Sequence, residues 1–256
     1  MDLTDQYLEK CKGIIEKISL QKELIKEAAT WCAESILKNR VVHMFASGHS
    51  RIMVEEMWPR YGSFPGFNPI VELSLTFHNL VIGSNGQRQA MFLENVSGLA
   101  DRILRNFALS EHDTAIVISS SGANIVPIEI AEIFTQRNIK VIAFITKDHS
   151  DASESKREDG KKLSDFADII LDTGAPKGDS MISVEGISSP VSPGSTVGGV
   201  MIINSLKAEI ANILVKNGKI PKVLTASNIA SKEEAIRLFE SAYDEHAKNM
   251  SILYNF

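Results

Sequence analysis

The chain has 256 residues, 44% hydrophobic and 23% charged, the balance of an ordinary globular protein with material for one large core. Its formal net charge of −5 argues against a nucleic-acid surface, which needs clustered Lys and Arg. Two cysteines, Cys11 and Cys32, are too few for a disulfide framework or a Cys-rich metal site and read as buried thiols in a reducing compartment.

The opening "MDLTDQYLEK" is charged and lacks the apolar centre of a signal peptide, and no apolar run approaches the ~20 residues of a membrane span. A cytoplasmic protein without membrane contact is expected. Residues 4–38 follow as one long predicted helix, with Leu8, Cys11, Ile15, Ile18, Ile25, Ala28, Cys32 and Ile36 in an apolar stripe at helical spacing. "VVHMFA" is a predicted strand, "RIMVEEMWPR" a helix stopped near Pro59, "YGSFPGFNP" a loop and "IVELSL" a second strand.

The pattern then repeats. "FLENVSGLADRILRNFAL" reads as helix, "TAIVISS" as strand, and "VPIEIAEIFTQRN" as a helix with Pro127 in its first turn. "KVIAFIT" is a strand. The basic run "SKREDGKK" is broken by Glu158 and Asp159 and reads as a solvated loop. "LSDFADIILD" gives a short helix and a further strand. Residues 173–194, rich in Gly, Ser and Pro, form a loop longer than most, which favours a functional role over a domain boundary. Helices over 195–217 and about 231–250 complete a single domain spanning 1–256. Apolar strands alternating with helices imply a parallel sheet covered on both faces.

Two strands end in small polar residues: "HMFASGHS" and "AIVISSSGAN". In a parallel α/β sheet, ligands bind beyond the carboxyl ends of the strands, where the following helix presents unpaired N–H groups and partial positive charge. Gly48 and Gly122 let the backbone approach an anion. Ser47, Ser50, Ser119, Ser120 and Ser121 supply hydroxyl donors. Such serines also serve as plain helix caps, but the same turn after two apolar strands favours a phosphate site. No G-x-G-x-x-G or G-x-x-x-x-G-K-[ST] motif points to a nucleotide.

"FASGHS" and "ISSSGAN" resemble the paired motifs of the sugar isomerase (SIS) domain family, whose second motif usually reads S-x-S-G-x-T. Asn124 stands where that pattern has Thr. "GHSRIMVEEMWPRYG", "FLENVSGLA", "GKKLSDFADIILD", "GDS" and "STVGG" are similar to a bacterial subgroup of single-domain members often described as phosphoheptose isomerases. "SPGSTVGGVMIINSLKAEIANILVKNGKI" is similar to the closing region of N-acetylmuramic acid 6-phosphate etherases. The resemblance implies a three-layer α/β/α sandwich with a five-stranded parallel sheet, of flavodoxin-like architecture. It also implies a sugar phosphate as ligand, no cofactor, and a homodimer or dimer of dimers with sites near subunit interfaces. Phosphate binding is carried onto the two serine turns, including Asn124, and a substrate loop onto Ser195 and Thr196.

Isomerising a phosphosugar, or eliminating its ether, requires a base beside the carbon that loses a proton. Glu72 in "NPIVELS" resembles a functional Glu after the second strand of several SIS isomerases; an exposed edge position is the alternative. Glu94 in "FLENVSG" resembles the second acidic residue of the etherase motif, against a carboxylate favoured by a helix dipole. Glu55 and Glu56 resemble the Glu-Glu pair of phosphoheptose isomerases at a different spacing, against a solvated face or a salt bridge. His78 is a further acid–base candidate, and His43 is expected in the core. The late helix lacks the histidine of phosphoheptose isomerases and offers Asn204, Lys207 and Glu209. No metal-ligand motif appears, so no metal is expected. An isomerase is the first reading, with a lyase on a phosphorylated amino sugar and a non-catalytic sensor as alternatives.

Overall fold

The computed structural model describes residues 2–76 and 86–255. Five parallel strands form the sheet: β1 (Val42–Ala46), β2 (Phe67–Ile70), β3 (Thr114–Ile118), β4 (Lys140–Ile145) and β5 (Ile169–Asp172). Their order is β2-β1-β3-β4-β5, with the chain reversing its winding direction between β1 and β3. Such a switch point, here at the carboxyl ends of β1 and β3, is where open α/β sheets generally bind ligands. β1 and β3 are buried along their whole length on both faces, which is why they read as continuous apolar runs.

The pleat divides the core in two. Met44, Ile116, Ile118, Phe144 and Leu171 face one layer, built from α1 (Leu3–Ser19), α2 (Lys22–Leu37), α3 (Ile52–Met57) and α9 (Ser195–Lys216). Phe45, Val117, Val141, Ala143 and Ile145 face the other, built from α6 (Leu99–Leu104) and α7 (Ile125–Gln136). Burying each large side chain is worth about 1.5–3 kcal/mol, so the alternation fixes the register of every strand. Helices α4 (Leu73–Thr76), α5 (Gly86–Leu93) and α8 (Lys147–Asp151) lie between these elements in the chain, and α10 (Lys232–Ser251) follows α9.

Several boundaries differ from expectation. The helix expected over 4–38 is two, because the side chain of Gln21 leaves the helical path for the free edge of β5. Its Nε2 donates to the Asp172 carbonyl at 2.8 Å and its Oε1 accepts from the Asp172 N–H at 2.7 Å, completing an edge that lacks a strand. Ile18, Ile25, Ala28, Cys32 and Ile36 of the stripe are buried, but Leu8 and Ile15 are exposed and Ile14 takes the inward place. β2 lies earlier than "IVELSL". It accommodates Pro69 because an edge strand tolerates a missing N–H.

The long loop over 173–194 carries a small antiparallel hairpin, β6 (Ser180–Ile182) and β7 (Val191–Pro193). α9 is long and apolar enough to match a membrane span, contrary to the expectation that no such run exists. Here Ile202, Ile203, Leu206, Ile210 and Leu214 are buried in the core, and α9 packs chiefly against α2 and α3. Its approach depends on two glycines: a Cβ on Gly198 would lie 1.8 Å from the Thr173 carbonyl oxygen, and one on Gly199 2.0 Å from the Met53 sulfur.

His43 is fully buried, as expected of a core histidine, within a polar network at the amino end of the sheet. The Asn68 amide donates to its Nδ1 at 2.9 Å, so Nε2 carries the hydrogen and lies 3.1 Å from Asp113. Arg40 donates two bonds to the same carboxylate, at 2.8 and 2.9 Å. Burial pushes the Asp113 pKa up, but the bonds from His43 and Arg40 outweigh it and hold the group down at about 2. A carboxylate depressed in the folded state stabilises it above the unfolded pKa and loses that stability as pH falls through the folded value. Stability on the order of 2 kcal/mol is therefore expected to disappear between about pH 4 and pH 2. Urea unfolding of wild type and Asp113→Asn across that range checks this: the variant should lose the corresponding part of the acid slope.

Candidate functional site

Ala46 of β1 pairs with Ile118 of β3, so the two serine turns leave the sheet side by side. The first turn runs from Ser47 into a 3-10 segment, Gly48–Arg51, that leads into α3. The second runs through Ser119–Ala123 to Asn124, the N-cap residue of α7. Gly48 and Gly122 both adopt the left-handed conformation, with φ of +59° and +60°. At Gly122 space is short as well, since a Cβ would lie 3.3 Å from the Ser150 hydroxyl.

These polar residues do not cap the helices they precede. Neither Ser47 nor Asn124 makes a side-chain capping bond. Both reach across to the carboxylate of Glu94, in the turn directly after α5. The Ser47 hydroxyl donates to Oε2 at 2.7 Å, and the Asn124 amide donates to Oε1 at 2.8 Å. The Glu94 carbonyl in turn accepts from the Val126 N–H at 2.9 Å. One glutamate thus bridges both turns. Burial pushes its pKa up, against the opposing effects of the Ser47 bond and the Lys156 charge. "FLENVSGLADRILRNFAL" is not one helix: it breaks between α5 and α6, at Gly98 with φ of +83°. That break puts Glu94 in a turn, at the carboxyl end of α5, where the dipole offers a carboxylate no help.

Ser119 and Ser121 are arranged as donors. The Ser119 hydroxyl oxygen accepts from the Gly122 N–H at 3.2 Å and that of Ser121 from the Ala123 N–H at 3.3 Å. Each oxygen is oriented from within its own turn, which leaves the hydroxyl hydrogen to point elsewhere. Ser120 ties the turn to the residue that follows β4 through its carbonyl, which accepts from the Thr146 N–H at 2.9 Å. Ser50 is partly exposed in the first turn. An anion between the turns would meet hydroxyls and the first turn of the twelve-residue α7, beside one carboxylate.

The other candidates stand apart. Glu72 is not on a strand: it follows β2 and caps α4, its Oε1 accepting from the Ser74 N–H at 3.2 Å and the Ser74 hydroxyl at 2.7 Å. Glu56 accepts from Asn204 Nδ2 at 2.8 Å and pairs with Arg60, while Lys207 donates to its carbonyl at 2.8 Å. Burial raises the Glu56 pKa, but the Asn204 and Arg60 bonds outweigh it and leave the carboxylate below its ordinary range. It fastens α3 to α9. The Ser195 hydroxyl donates to Asp179 Oδ2 at 2.6 Å, so it fixes the start of α9, and no bond joins Ser195 or Thr196 to the serine turns. His78 lies outside the described residues. Among the described residues no three His, Cys, Asp or Glu side chains gather as a metal site.

Sequence reasoning missed Lys156. The run read as a solvated loop folds back on the second turn: the Lys156 N–H donates to the Ala123 carbonyl at 2.9 Å, and the Leu163 N–H to the Gly122 carbonyl at 2.8 Å. No local pattern announces this, because the contact depends on β4 and β5 being neighbours. A separate cavity of about 800 Å³ opens beyond Ser150, over the ends of β4 and β5, between Gln21, Lys147, Lys162 and Asp172.

The SIS domain model matches residues 6–146. This chain belongs to the SIS domain family. UPF0309 protein lin2794 of Listeria innocua is 31% identical over 244 residues, covering 95% of this chain and 96% of the relative. UPF0309 protein TTE0306 of Caldanaerobacter subterraneus is 33% identical over 236 residues, covering 91% and 94%. Among solved structures, phosphoheptose isomerase GmhA from Neisseria gonorrhoeae superposes with a TM-score of 0.51 at 14% identity, over 82% of this chain and 96% of that one. The SIS architecture expected from the two serine motifs is the one observed.

Because Glu94 satisfies donors from both turns, its removal should loosen them. Glu94→Ala is expected to cost about 1–3 kcal/mol by leaving partly buried donors unpaired, whereas Glu94→Gln retains an acceptor and costs less. Chemical denaturation of the two variants beside wild type measures the difference.

Proposed function

We propose that the protein binds a sugar phosphate in the crevice between the serine turns and acts on it as an aldose–ketose isomerase, with Glu94 as the base. The observation that carries this reading is the Glu94 bridge, which sets a carboxylate of raised pKa between two hydroxyl-lined turns. In this reading Ser50, Ser119, Ser121 and main-chain N–H groups of both turns hold the phosphate. Ser47 and Asn124 hold the base. Hydroxyls suit a ligand that must leave again, since they bind phosphate without a fixed opposing charge.

The chemistry follows from that placement. Glu94 Oε takes the proton from C2 of the open-chain aldose, the electron pair moves into the C1–C2 bond, the C1 carbonyl pair moves onto O1, and O1 takes the O2 proton to leave an enediolate charged on O2. The same carboxyl returns the proton to C1, yielding the ketose. A partly buried carboxylate is a stronger base than one in water, which favours the first step. Membership of the SIS family, and the likeness of fold to a structure described as a phosphoheptose isomerase, are consistent with this class.

A second reading draws on the same glutamate. Glu94, rather than Glu72, is the residue at the turns, and it is the one that resembles an acidic residue of the etherase motif. Removal of the C2 proton would then let its electron pair form a C2–C3 double bond as the C3–O ether bond breaks, and the departing alkoxide would take a proton from water to leave as a hydroxy acid.

Both readings are tested by incubating the protein in heavy water with a panel of sugar phosphates. Deuterium should enter C2 of the substrate, and the product, ketose or released acid, separates the two. Glu94→Gln should abolish exchange while retaining ligand binding. Ser121→Ala should weaken binding by about 1.5–3 kcal/mol, the worth of a hydrogen bond to a charged group. Ligand binding without exchange across the panel would leave a sensor and refute catalysis.

A further inference from the structure

The two bonds that hold Glu94 come from unlike partners. The Asn124 amide donates to Oε1 at 2.8 Å, and the Ser47 hydroxyl donates to Oε2 at 2.7 Å. An amide NH2 has hydrogens to give and nothing to receive with, whereas a hydroxyl does both. A carboxylate accepts at both oxygens, so the anion satisfies both partners. A neutral carboxyl does not treat them alike, because one oxygen stays a carbonyl acceptor and the other becomes a donor. Oε1, facing the NH2, fits only the carbonyl. Oε2, facing Ser47, fits the O–H, because the Ser47 hydrogen can turn aside and leave its oxygen to accept. Turning one hydroxyl hydrogen is a smaller change than turning a whole amide.

The main chain keeps these partners in place. Asn124 is extended, with φ of −81° and ψ of 144°, and its carbonyl accepts from the Ile128 N–H at 3.4 Å. Ser47 is buried and directly precedes the left-handed Gly48. The Glu94 carbonyl is bonded to the Val126 N–H, so glutamate and amide share the start of α7. Charges on the neighbouring elements do not choose between the oxygens. From α7, Glu129 accepts from the Ser97 hydroxyl and the Gly98 N–H, and Glu132 is paired with Arg157. In the first turn Arg51 pairs with Glu55 and His49 is exposed, as are Arg88 of α5 and Lys156. A paired or solvated charge acts on the carboxyl as a whole, whereas a hydrogen bond acts on one atom.

We infer that Glu94 takes its proton on Oε2 and not on Oε1, with Asn124 the positioning residue that makes the choice. What this means for turnover rests on the reading of Glu94 as the base. There the proton leaving C2 goes to Oε2 and returns from the same atom to C1, its bonding pair staying with the sugar, while the Asn124 bond keeps Oε1 a carbonyl in the protonated state. The SIS motif usually has Thr where this chain has Asn124. A threonine hydroxyl, like that of Ser47, donates or accepts, and would leave the two oxygens with partners of one kind. The amide sets them apart.

The test begins without ligand. Burial raises the Glu94 pKa, so its carboxyl protonates well above the region near pH 2 where Asp113 does. Infrared difference spectra of the full chain between neutral and mildly acidic pH give the carbonyl stretch of protonated Glu94 as the band that Glu94→Gln lacks. Asn124→Ala should move that band to higher frequency, since the carbonyl oxygen loses its hydrogen bond. Ser47→Ala should move it far less, and Ser47→Thr, which keeps the hydroxyl, should leave it in place. A shift in S47A equal to or larger than that in N124A overturns the inference. Asn124→Thr, which keeps a polar side chain for the fold, should broaden the band or split it in two, and a single band at the wild-type frequency overturns the role of the amide. With a sugar phosphate that wild type exchanges, N124A should lose kcat several-fold at little-changed KM, and an unchanged kcat overturns the positioning role. Absence of exchange in wild type instead counts against Glu94 as the base, and the infrared bands still decide where the proton sits.

Discussion

The Glu94 carboxylate holds together two turns that the sheet merely brings close. Register fixes Ala46 beside Ile118, but register alone leaves Ser47 and Asn124 as ends of independent loops. Their bonds to opposite oxygens of one carboxylate make the loops a unit. Ordering both loops costs conformational entropy, which a shared, partly buried acceptor offsets in the folded protein before any ligand arrives. The relative placement of the two turns is therefore set within the folded protein itself.

The same bridge sets an electrostatic tension. Under the proposed function, a phosphate dianion and a base that works as an anion would share the space between the turns. Repulsion between them favours a protonated or partly protonated carboxyl when both are present, and burial pushes Glu94 in the same direction. Opposing this are the Ser47 donor and the exposed ammonium of Lys156. The rest of the molecule supplies rigidity: Gln21 seals the β5 edge, Asp179 fixes the start of α9, and Gly198 and Gly199 let α9 lie close against the first layer.

Much of this was legible in the sequence where local chemistry decides the outcome. Apolar strands buried on both faces announce a parallel sheet, and a strand stopping in Ser and Gly announces a turn at its carboxyl end. His43 and Cys32 were readable as core residues. What escaped depends on contacts between distant segments. Gln21 breaks a helix whose apolar spacing continues across it, because β5 offers unpaired edge groups 151 residues later. Glu72 looked like a strand residue among apolar neighbours, but Ser74 and Thr76 supply the short-range bonds that start a helix there. Glu94 and Glu72 were not separable in one dimension: only the break between α5 and α6 turns Glu94 toward Ser47 and Asn124. Lys156 was hidden for a similar reason, within a charge run whose composition describes solvent and whose backbone lies against the second serine turn.

The central claim is that the two turns form one anion site rather than two helix starts. A backbone-amide NMR titration of the full chain with a sugar phosphate addresses it directly. The account predicts that the amides of Gly48–Arg51 and of Ser119–Ile125 shift together, along a single saturation curve with one Kd. Shifts confined to one turn, or two turns saturating at different concentrations, would contradict it.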